Sequence, residues 1–169
     1  ELPYLFDFDP KENSRFPFDQ VDTYEFFLDL GPLSNMNARY LHGVSPTWDN
    51  FMDHSTYDGY WETGSTLPHL TDVAVPTLSV VGWWDAENLG GALDIYDRLE
   101  PLDKNNLNRI VVGPWAHGQW ASGPRESLGD YDFDSDTVDF YQKEIEAPFF
   151  AHYLKDQGEI SLSEATMFQ

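Results

Sequence analysis

The chain contains no cysteine, only nine Lys and Arg among 169 residues, and no long apolar run. Without cysteine there is no disulfide, no thiol nucleophile and no thiolate metal site. The compartment stays open on this ground, with a periplasmic or secreted bacterial location favoured over the cytoplasm. The scarcity of basic residues argues against a nucleic-acid partner, because phosphate contacts need a basic surface. It argues equally against docking on an anionic membrane. No segment approaches the roughly 20 apolar residues of a membrane span. The N-terminus, Glu1-Leu2-Pro3-Tyr4, lacks the basic and apolar regions of a signal peptide and begins without Met. We therefore expect an internal piece of a longer protein. A G-x-S-x-G nucleophile elbow is also missing.

What is present is acidic and aromatic. Thirty Asp and Glu leave a net charge of -21. That charge fits a self-repelling soluble surface, or one adapted to high salt, where screening relieves the repulsion. The apolar fraction of 41% and the aromatic fraction of 16% suit a globular chain with one core.

Along the chain, residues 1–20 read as a looping entry segment rich in Pro, Asp and Phe. Asp22 is placed to cap a helix through Leu30, with Phe26, Phe27 and Leu30 on one face. Gly31-Pro32 stops it. A second helix through Leu41 and a third from Pro46 to about His54 follow. Residues 63–75 read as a connector. Strands are expected at 77–82 and 109–113, with a helix at about 88–100 striped by Leu89, Leu93, Ile95, Tyr96 and Leu99. This strand–helix–strand order predicts parallel neighbours. Residues 118–136 read as a loop. A helix at about 137–156 follows, kinked by Pro148 and stopped near Gly158. The tail from 159 reads as the start of a strand. Two domains are expected: an entry segment with part of a helical cap at 1–62, and α/β core at 63–169.

Two segments stand out. Leu78-Ser79-Val80-Val81-Gly82-Trp83-Trp84-Asp85 and Arg109-Ile110-Val111-Val112-Gly113-Pro114-Trp115-Ala116-His117 share one pattern. Each is a buried-strand run, a Gly, aromatics, then one residue able to handle protons. In open α/β sheets, ligands bind beyond the carboxyl ends of the strands. Asp85 and His117 lie 32 positions apart, which suits one strand–helix–strand unit. In serine hydrolases of the α/β type the acid precedes the His, and both follow the Ser. The plainer alternative is that Asp85 caps the next helix and His117 is an ordinary loop residue. No Ser in the chain fits an elbow: Ser79 lies inside a strand and Ser122 in a loop.

The stretch Gly82-Trp83-Trp84-Asp85-Ala86-Glu87-Asn88, taken with Gly113-Pro114-Trp115-Ala116-His117-Gly118-Gln119-Trp120, resembles a family of α/β-hydrolases. That family includes cocaine esterase, α-amino-acid ester hydrolase, glutaryl-cephalosporin acylase and X-prolyl dipeptidyl-peptidase. The likeness extends to His54-Ser55-Thr56-Tyr57-Asp58-Gly59-Tyr60-Trp61, to Glu146-Ala147-Pro148-Phe149-Phe150 and to Glu164-Ala165-Thr166-Met167-Phe168. The resemblance implies an α/β fold: the last parallel strands and helices of an α/β-hydrolase with part of a helical cap. It makes Asp85 the triad acid and His117 the triad base. The nucleophile, the oxyanion donors and a C-terminal jelly-roll domain would lie outside this chain, which alone would not turn over substrate.

Glu87 matches a family position that helps to bind a substrate ammonium. The chain departs from the family at Asn88, where an acid is expected. Trp83, Trp84 and Trp115 are candidates for the pocket wall, with core packing as the alternative. The expected partner is a small-molecule ester or amide, α-amino acyl esters and β-lactam side chains included. Self-association, or association with the rest of the enzyme, is left open. An X-prolyl dipeptidyl-peptidase of the same family is one alternative function, and a non-catalytic aromatic-rich binding module another. No cofactor and no metal is expected. Asp130, Asp132, Asp134 and Asp136 alternate like the start of a calcium loop, but the Gly and Glu that complete such a loop are absent. His42, His54, His69 and His152 lack metal-ligand spacing.

Overall fold

The computed structural model describes residues 22–168; the expected entry segment 1–20 lies outside them. The chain divides into two compact units, residues 1–65 and 66–169.

The described part of the first unit is helical. Helix α1 (Thr23–Leu30) begins where Asp22 accepts the backbone N–H groups of Tyr24 and Glu25. It ends at Gly31, whose φ of 69° is one that glycine tolerates for want of a Cβ. Phe26 and Leu30, four residues apart, are buried together with Met36 and Leu41, while Phe27 turns outward. The second expected helix is shorter than a regular one. Residues Asn37–Leu41 form a wide π turn that ends at His42 in a left-handed conformation. The Asn37 side chain braces it, donating to Asp49 Oδ1 at 2.7 Å and accepting the Gly43 N–H at 2.6 Å. Helix α2 (Pro46–Asp53) starts on the buried Ser45, with Pro46 in the first turn, where a missing N–H is harmless. Helix α3 (Gly59–Gly64) is capped by Asp58. The expected connector at 63–75 is thus partly ordered, with the end of α3 and a 3-10 turn at Leu67–His69.

The second unit is built on a three-stranded parallel sheet of order β1 (Thr77–Gly82), β2 (Asn108–Gly113), β5 (Ala165–Met167). Strand β2 is central and buried along its whole length. Its alternate residues feed two cores, as the two-residue strand period requires. Ile110 and Val112 join Val81 under helix α4 (Leu89–Leu99), whose Leu89, Ala92, Leu93 and Tyr96 pack on them. Val111 faces the other way, toward Trp115, Val138, Tyr141 and Ile145. The turn before β2 is held by Asp103, whose carboxylate accepts the N–H groups of Asn105, Leu107 and Asn108.

The tail does form a strand, and it adds a third member to the two strands read most plainly from the sequence. Residues 118–136 are more structured than a plain loop. They hold a short hairpin of β3 (Ser127–Leu128) and β4 (Tyr131–Asp132), with Gly129 at positive φ in its turn. The long helix is interrupted: α5 (Thr137–Tyr141), a π turn at Gln142–Glu146, then α6 (Ala147–Lys155). Pro148 therefore sits in the first turn of a segment rather than in a helix interior. The stop comes at Asp156 in a left-handed conformation, two residues before the expected Gly158. Leu154, placed on the apolar stripe, is exposed. Among the described residues no helix is long and apolar enough to cross a membrane.

Candidate active site

Strands β1 and β2 run in register, so that Gly82 lies opposite Gly113. Both glycines are required by one neighbour. A Cβ on Gly82 would collide with the Trp115 carbonyl, and one on Gly113 with the Trp115 ring. Trp115 folds back over the strand ends, buried at 2% exposure. Its indole N–H donates to Thr137 Oγ1 at 3.0 Å, and its ring meets Tyr141 edge-on. Of the three tryptophans considered for a pocket wall, Trp115 is a core residue. Trp83 and Trp84 are 40% and 47% exposed. The Trp83 indole donates to the Phe168 carbonyl, while Trp84 leans toward Tyr131.

The two chain segments stay joined beyond the sheet. Trp83 N–H donates to the Gly113 carbonyl at 2.9 Å and Trp84 N–H to the Trp115 carbonyl at 3.0 Å. This zipper sets Asp85 beside His117. The loop that carries His117 is tied by Gln119, whose side-chain oxygen accepts the Ala116 N–H at 2.9 Å. Gly118 at a φ of 69° turns the chain there. Gln119 and Thr137 were not among the sequence candidates. Gln119 lies within the quoted motif, but nothing in its residue type announces a backbone brace, and Thr137 is distant in sequence.

The Asp85 side chain is fully buried, and that of His117 is 49% exposed. His117 Nδ1 stands 3.2 Å from each carboxylate oxygen. Asp85 Oδ1 also accepts the Glu87 and Asn88 N–H groups, each at 2.9 Å. Burial on its own would raise the Asp85 pKa. The donated bonds from Asn88 and Glu87, and then His117, outweigh it and hold the carboxyl below its ordinary value. Asp85 is therefore ionised at neutral pH. Its capping of the following turn and its contact with His117 are not alternatives, because one carboxylate does both.

On the outer side, His117 Nε2 lies 3.6 Å from Glu87 Oε2, and Asn88 Nδ2 lies 3.4 Å from His117 Nδ1. Asp85, Glu87, Asn88 and His117 thus form one cluster, with the buried Asp85 carboxylate at one imidazole nitrogen and the exposed Glu87 carboxylate near the other. Such a pair can accept and return a proton. Among the described residues no serine hydroxyl is hydrogen-bonded to His117.

The other polar candidates have local roles. Asp136 caps α5, and Asp132 accepts the Asp134 N–H. Among the described residues no group of three or more His, Cys, Asp or Glu could hold a metal ion. His54 pairs with Asp58, and His152 Nδ1 faces the Gly158 carbonyl.

Parallel strands with an acid after one and a His after the next define an α/β protein whose polar cluster lies beyond the strand ends. The comparisons with known proteins narrow this class. Residues 9–119, which include Asp85 and His117, match the family described as X-Pro dipeptidyl-peptidase (S15 family), and the chain belongs to it. One similar structure is an aminopeptidase from the marine sediment archaeon Thaumarchaeota archaeon. It is 30% identical with a TM-score of 0.80, over 89% of this chain and 25% of that one. Another is an α-amino acid ester hydrolase, 29% identical with a TM-score of 0.83, over 90% of this chain and 25% of that one. This chain therefore spans a quarter of the length of each. No curated protein matches it.

Proposed function

We propose that this chain supplies the acid and the base of a serine hydrolase acting on esters or amides. The observation that carries the reading is the buried Asp85 carboxyl group at 3.2 Å from His117 Nδ1. In this reading a serine outside these residues attacks the acyl carbonyl. His117 Nε2 takes the hydroxyl proton as the C–O bond forms, then returns it to the leaving alcohol or amine as the acyl bond breaks. Water repeats the sequence on the acyl-enzyme and frees the acid. Asp85 keeps the proton of neutral imidazole on Nδ1 and stabilises the imidazolium.

The substrate in this reading carries an amine beside the acyl group. The names of both similar structures, an aminopeptidase and an α-amino acid ester hydrolase, support that class. So does the exposed Glu87 carboxylate, 3.6 Å from His117 Nε2. A second reading, cleavage after an X-Pro dipeptide, is favoured by the family match.

A fluorophosphonate probe on the longest native polypeptide containing these residues tests the proposal. Label should appear on a serine outside the 169 residues and fall sharply in His117→Ala. Label that is absent, or indifferent to His117, rejects the reading and leaves a non-catalytic binding module. The 169 residues alone should give no burst with an activated ester. Glu87→Gln should raise KM for aminoacyl esters and leave the des-amino esters unchanged. Turnover of X-Pro anilides in preference to aminoacyl esters would decide for the second reading.

A further inference from the structure

Asn88 occupies the N-cap position of α4, where an Asn side chain ordinarily accepts a helix N–H. Here it makes no such bond. Asp85 Oδ1 accepts the two N–H groups just ahead of the helix, those of Glu87 and Asn88. The Asn88 amide instead lies 3.4 Å from His117 Nδ1. A cap-forming residue in a cap position that leaves the cap unmade calls for another role.

The chemistry of Nδ1 defines that role. The Asp85 carboxyl group lies 3.2 Å away. With that acceptor beside it, Nδ1 carries the proton. An amide N–H facing an N–H is repulsive, so a half-turn of the Asn88 amide presents Oδ1 instead, making a second acceptor for the same proton. The two acceptors reach Nδ1 from separate anchors, one buried at the end of β1 and one at the start of α4. Rotation of the half-exposed ring about its Cβ–Cγ bond would break both.

We propose that Asn88 is a positioning residue, a neutral second acceptor that keeps the His117 ring turned with Nε2 toward the reacting atoms. This rests on the proposed hydrolase reading for its catalytic meaning, but not for the contact itself.

Two variants test it. Asn88→Leu removes the acceptor and keeps the backbone N–H that Asp85 uses. In the catalytically competent polypeptide, kcat should fall about threefold to tenfold with KM unchanged, the size of one lost hydrogen bond. Thermal stability should hold, because no cap is lost. Asn88→Asp places a second anion at Nδ1 and should move the acid limb of the kcat/KM profile up by about one pH unit. In the same polypeptide, the Nδ1 proton of His117 should exchange with water faster in Asn88→Leu and more slowly in Asn88→Asp.

The proposal is overturned if both variants leave that exchange rate at the parent value. It is also overturned if Asn88→Leu lowers Tm while the rate and the pH profile stay fixed, as a purely structural residue would. Failure of the hydrolase reading shows differently: His117→Ala and Asp85→Asn would leave turnover unchanged, whatever the exchange rates report.

Discussion

Two His–Asp pairs lie among the described residues, and the tighter one has the weaker claim to chemistry. His54 and Asp58 are 2.7 Å apart, four residues apart in sequence, with both side chains more than a third exposed. His117 and Asp85 are 3.2 Å apart, but the carboxylate is buried and the two residues come from the ends of neighbouring strands. Water competes for the first pair and not for the Asp85 carboxylate. The first pair is also absorbed in local structure. Asp58 caps α3, the His54 ring stacks on Tyr60, and the His54 carbonyl accepts the Trp61 indole N–H. A short contact is thus a poor guide to a site. A dry acid beside a half-exposed base is a better one.

The largest test of this contrast is a matched pair of substitutions. In the competent polypeptide, Asp85→Asn should lower kcat by roughly 10³–10⁴-fold, the size known for a serine protease triad. Asp58→Asn should leave kcat near the parent value. Equal effects on kcat would erase the distinction.

Next in size is the frame that holds only one of the pairs. Gly82→Ala sets a Cβ against backbone. It should cost about 3 kcal/mol by urea unfolding, the upper end of overpacking effects. Gly64→Ala, in the helical unit with open space at its Cβ, should cost far less. A Gly82→Ala chain as stable as its parent would mean that Trp115 yields easily.

A smaller effect concerns acid. Asp85 and Asp103 both have depressed folded pKa values. A depressed carboxyl contributes stability above its unfolded pKa of about 3.9, and loses it as pH falls through the folded value. Tm should therefore drop below about pH 4, and Asp103→Asn should flatten that drop. Smallest of all, His54→Ala should lower Tm slightly and leave the pH profile of turnover unmoved. A shifted profile would give the exposed pair a part in the reaction.

Much of the frame was legible in the sequence. The runs at 77–82 and 109–113 and the intervening helix rest on local patterning, and each appears within a residue of its expected bounds. What escaped depends on contacts remote in sequence. Nothing in Trp115 tells a pocket wall from a plug, because the answer lies in the missing Cβ atoms of Gly82 and Gly113 and in Thr137. The brace by Gln119 and the direction of the Asn88 amide are set by backbone turns at Gly118 and Asp85. The π turn at 142–146 could not be read from an apolar stripe, because a stripe reports which face is buried and not the pitch of the turn.

The amide zipper beyond β1 carries a consequence for motion. Trp83 and Trp84 give their N–H groups to carbonyls on the β2 side, beside a buried indole. These two bonds cannot part without loosening the strand ends themselves. Their deuterium uptake should then keep pace with the amides of central β2, marking one cooperative unit rather than a fraying loop. The site would hold its geometry up to the temperature at which the sheet opens, and lose it in the same event.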